Sequence, residues 1–174
     1  MSKCLGLFMP LAAAVLMPGC GQGQRGPSTS PADAAVDGKY VLASEPQGAQ
    51  GVIHVRENAR DEQAVVVVGR IGGSENPWVE GMAAFSIVDL SLQACSDKEG
   101  DECRTPWDYC CETDLLPKAT VLVKIVDGSG SLVASDARAL LQARELQTVV
   151  VEGKAKRDEA GNLTVLAGGV FTKP

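Results

Sequence analysis

Ala119-Thr-Val-Leu-Val-Lys-Ile-Val126, then Asp127-Gly128-Ser129-Gly130, then Asp136-Ala-Arg-Ala-Leu-Leu-Gln-Ala-Arg144, then Thr148-Val-Val-Val-Glu-Gly-Lys-Ala155 is the stretch whose reading decides the fold. The first piece is a β-branched run and reads as a strand. Asp-Gly-Ser-Gly is a turn signal. Asp136 is a capping residue ahead of Ala and Leu at helical spacing, so residues 136–144 predict one short helix. Thr148–Ala155 returns to a β-branched strand.

Working outward, residues 157–162 form a turn into Leu163–Phe171 (LTVLAGGVF), the last strand. Upstream, Ala64–Ile71 (AVVVVGRI) ends in Gly72-Gly73 and is the first strand. Ala83–Leu90 (AAFSIVDL) is the second, with Phe85, Ile87 and then Asp89 alternating against Ser86 and Val88. Three strands, a helix and a hairpin predict a mainly β chain. The expected architecture is a small five-stranded OB-like Greek-key barrel with one short helix between strands 3 and 4. Gly69, Gly153 and Gly168-Gly169 fall inside strand runs, where a small barrel needs sharp coiling or a bulge.

Composition limits the function classes. Hydrophobic residues are 45% and aromatics 4%, so the core must be aliphatic, with valine dominant. The 22 acidic residues outweigh the 16 basic ones for a net charge of −6. That balance argues against nucleic acid, whose phosphates call for a basic surface. It argues equally against electrostatic docking on anionic lipid.

The amino terminus predicts export. Ser2 and Lys3 precede an apolar stretch from Leu5 to Met17, interrupted by Pro10. It is too short to span a bilayer and has the length of a signal-peptide core. It ends in Leu16-Met17-Pro18-Gly19-Cys20, which resembles the lipobox of bacterial lipoproteins. That resemblance implies removal of residues 1–19, lipidation of Cys20, and a membrane held through a lipid anchor. Residues 20–38 are Gly/Gln/Ser/Pro-rich and read as a flexible tether. Residues 39–61, with Tyr40-Val41-Leu42 and Val52-Ile53-His54-Val55, read as a packing element, a helix or an extra strand. Residues 62–174 are the barrel. Removing 1–19 takes away Lys3 and moves the charge to −7. The implied address is the bacterial cell envelope, with the domain in the periplasm or at the cell surface.

The unusual stretch is Cys95-Ser-Asp-Lys-Glu-Gly-Asp-Glu-Cys103-Arg-Thr-Pro-Trp107-Asp108-Tyr109-Cys110-Cys111-Glu112. It lies in the 91–118 connection between strands 2 and 3, long for a loop without structure of its own. Two readings compete. In the first, Cys95, Cys103, Cys110 and Cys111 form two disulfides in an oxidising compartment, with Cys110 and Cys111 each paired to one of Cys95 and Cys103. In the second, the same sulfurs hold zinc or copper(I), although the C-x7-C-x6-C-C spacing lacks paired knuckles. Asp97, Glu99 and Asp101 alternate as in a calcium loop, but Glu102 stands where glycine is needed. Trp107, Asp108 and Tyr109, with Trp78 from the loop between strands 1 and 2, are candidate binding residues at the barrel rim. The alternative is that the aromatics plug the barrel end.

The sole histidine, His54, lies outside the barrel strands, and no nucleophile elbow, zinc-protease helix, phosphate loop or dinucleotide fingerprint occurs. The expected function is therefore a non-enzymatic envelope binding or scaffold module without cofactor, with an envelope protein or glycan as partner. The alternative is a metal- or cofactor-handling protein that uses the cysteine loop. The combination of lipobox, tether, barrel and an acidic loop ending in TPWDYCCE resembles uncharacterised bacterial lipoproteins with an OB-fold-like (oligonucleotide/oligosaccharide-binding-fold) domain. That resemblance implies a fold and an address more than an activity.

Overall fold

Six strands and three short helices follow in chain order: β1 Gln50–Gly51, α1 Val52–Asn58, β2 Ala64–Ile71, β3 Ala84–Val88, α2 Leu116–Ala119, β4 Thr120–Ile125, α3 Ala137–Leu141, β5 Thr148–Arg157 and β6 Leu163–Thr172. They come from a computed structural model that describes residues 38–100, 102 and 109–174. The chain is mainly β. β2, β3, β4, β6 and β5 close a five-stranded ring, because β5 also pairs with β2. β5, β2, β3 and β4 lie in the spatial order of a Greek key, the fourth ring strand returning beside the first. β1 stands outside the ring as a sixth, two-residue strand, parallel to β2 at Val67 and Val68.

Closure follows from how the strands divide their edges. β2 runs antiparallel to β5 from Ala64↔Lys154 to Arg70↔Thr148, while only Arg70 and Ile71 pair with β3. β3 then pairs along its length with β4, and β4 lies parallel to β6. Alternation sets which side chains fill the interior: Val65, Val67 and Ile71 from β2, Phe85 and Ile87 from β3, Val121, Val123 and Ile125 from β4. Among the described residues this core is mostly aliphatic, with Phe85, Trp78 and Tyr40 its aromatic members.

Strand β6 changes phase midway. Its inward residues are Leu163, Val165 and Ala167, and then Val170 rather than Gly169. The extra residue is Gly168: Glu152 pairs with Gly169 and Gly153 with Ala167, so the ladder slips at this point. Opposite the bulge the backbones come so close that a Cβ on Gly153 would lie 2.2 Å from the Leu166 carbonyl oxygen. A Cβ on Gly168 would meet nothing within 4 Å. The two glycines thus have different reasons to be there, close approach at one and the bulge itself at the other.

The helices seal the ring at its two ends. α1 buries Val52 and Val55, and Ala59 follows, where β3 stops and β4 starts. α3 buries Ala137, Leu140 and Leu141 at the other end, and the Ala137 N–H donates to the Met82 carbonyl just ahead of β3. Asp136 caps α3 by accepting from the Arg138 and Ala139 N–H groups at 2.9 and 3.2 Å. Residues 39–61, left between helix and strand by the sequence, contain both β1 and α1. No helix among the described residues is long and apolar enough to cross a membrane.

Gly153→Ala should lower stability by roughly 2 kcal/mol or more, because backbone must shift to admit the methyl group. Gly168→Ala should change it by less than about 1 kcal/mol. Urea midpoints of the two variants check this, and equal effects would contradict the bulge geometry.

Candidate functional site

The connection between β3 and β4 starts at Asp89, and this residue determines how the loop leaves the barrel. Asp89 is 8% exposed. Its carboxylate accepts from the Ile53 N–H at 2.9 Å and the Ser91 N–H at 3.0 Å. It therefore caps α1 from 36 residues away and fixes the first turn of the loop in the same contact. Burial alone would raise its pKa, but the hydrogen bonds from Ile53, Ser91 and Val52 outweigh burial and hold it below the usual carboxylate range. A Cβ at Gly51 would lie 2.7 Å from Asp89 Oδ2, which explains glycine at the residue before the helix.

Beyond Asp89 the loop builds a small core of its own. Val88, Leu92, Ala94, Tyr109 and Ala119 are buried together, with Ile53, Leu116 and Leu146 packed around them. Tyr109 is fully buried, and burial pushes its phenol pKa up. Cys95 lies near enough to Tyr109 of this cluster for its sulfur to act on the phenol. Cys95 opens a 3-10 turn, Cys95–Asp97, and is fully buried. Cys110 and Cys111 lie on a second such turn, Cys110–Glu112, and are exposed.

The turns bring three sulfurs together. Cys95 Sγ is 3.0 Å from Cys110 Sγ, Cys110 Sγ is 3.9 Å from Cys111 Sγ, and all three lie within 4.8 Å of one another. None of these separations is a bonded one, which would be about 2.05 Å. Cys103 lies outside the described residues, as do Cys20, Trp107 and Asp108.

Two ion pairs hold the turns in place. The Arg70 guanidinium, at the end of β2, pairs with the Asp97 carboxylate, its second nitrogen donating at 3.2 Å, and its Nε donates to the Leu146 carbonyl at 3.0 Å. The hydrogen bond from Arg70, partly opposed by desolvation, keeps Asp97 below the usual carboxylate range. Lys98 Nζ donates to Glu112 at 3.3 Å and so joins one cysteine turn to the other. Desolvation pulls the Lys98 pKa down, but the Glu112 hydrogen bond and the field of the Cys111 and Cys95 sulfurs raise it overall. Asp97 thus serves as an anchor to the barrel, whereas the sequence showed it only within an acidic alternation.

The aromatic candidates divide. Tyr109 packs in the loop's own core, and Trp78 packs in the barrel core. Trp78 is 6% exposed, lies 5.5 Å from the Phe85 ring, and donates from Nε1 to Glu145 at 2.9 Å. Arg138 covers its outer face at 5.2 Å and pairs with Glu145. Both rings fill space, and the two do not meet in one patch. His54 is exposed on α1.

The sequence matches no protein-family model and no curated protein. What the arrangement offers chemically is three thiols at the barrel edge beside one ammonium, on turns fastened by charge.

Asp89 gives a pH test with a defined sign. Its folded pKa lies below the unfolded value of about 3.9, so its contribution is complete above that value and is lost as pH falls through the folded one. Asp89→Ala should cost about 1–2 kcal/mol at pH 7. The deficit relative to the parent chain should shrink on acidification. A deficit that is constant from neutral pH into the acid range, read from urea midpoints, would contradict the cap.

Proposed function

We propose that this protein is a non-enzymatic, exported lipoprotein whose barrel serves as a binding or scaffold module in the bacterial envelope. In this reading the leader is removed before Cys20, which carries the lipid, and residues 20–38 tether the domain in the periplasm or at the cell surface. The partner is an envelope protein or a glycan, not nucleic acid, in keeping with the net charge of −6.

The observation that carries this reading is the approach of Cys95 and Cys110, whose sulfurs stand 3.0 Å apart across 15 residues of chain. A displacement of about 1 Å would close a disulfide. Such a bond would add on the order of 3 kcal/mol in the chain-entropy account. A polar, acidic excursion with only a small core gains from such a staple, and staples of this kind persist outside the cytoplasm. In this reading Cys111 pairs with Cys103.

Mass spectrometry of the mature domain with and without reduction should show four hydrogens lost to two disulfides, and four free thiols in protein isolated without reductant would overturn the staple. Metabolic labelling with palmitate should vanish in Cys20→Ser, and label persisting in that variant would remove the tether.

A further inference from the structure

We draw no further inference here: the strongest candidate, the groove of about 1080 Å³ lined by β2, β5, β6 and the turn 126–130, mixes Lys39 and Lys154 with Glu152 and Asp127 along its walls, and nothing in the structure shows what covers it.

Discussion

Ring closure depends on β2, which pairs with β5 along most of its length and with β3 at its end, and which also carries β1. Its length of hydrogen bonds with β5 closes the barrel, and its last two residues hand the sheet on to β3. A five-stranded ring this small has to coil tightly, and the chain meets that demand with glycine where backbones crowd. Gly153 sits beneath the Leu166 carbonyl, and a Cβ on Gly69 would come within 2.9 Å of the Val88 carbonyl. Because the interior is narrow, valine and isoleucine dominate it, and Phe85, Trp78 and Tyr40 make up the aromatic share among the described residues.

The position of the cysteines follows from that closure. Arg70, the next-to-last residue of β2, is held at the ring's edge by its pairing with Val88 and Thr148. From there its guanidinium reaches Asp97 on one cysteine turn and the Leu146 carbonyl beside the small outer core. Asp89 fixes the root of the same loop by capping α1. The excursion is therefore anchored at its start by a carboxylate on backbone amides and in its middle by an arginine. Tyr109 anchors it near its return.

The barrel was readable from sequence because its signals are local. Ala64–Ile71 was read at its observed limits, and the runs at 119–126, 148–155 and 163–171 lie within a residue or two of β4, β5 and β6. β-branched runs between Gly and Asp turns state their own boundaries. Residues 39–61 were ambiguous because a two-residue strand running straight into a seven-residue helix is too short for either periodicity to register. The Asp89 cap left one trace in the sequence, an acidic residue in phase with inward-facing Phe85 and Ile87, but its partner Ile53 is 36 positions away. The Arg70–Asp97 and Lys98–Glu112 pairs left none, since contacts across a fold carry no spacing rule. Trp78 and Tyr109 looked like one aromatic rim because both neighbour loop residues. Burial assigns them to two separate clusters.

The account makes the barrel the primary unit and the cysteine loop a second, separately fastened one. Native-state hydrogen exchange across a range of low urea concentrations measures that division directly, using the loop amides of Lys98 and Glu112 against the β2–β5 ladder. In reduced protein the loop amides should exchange through an opening of lower free energy and weak urea dependence, while the ladder exchanges only with global unfolding. Loop and ladder amides sharing one free energy and one urea dependence would contradict it, because the loop and the barrel would then be a single cooperative structure.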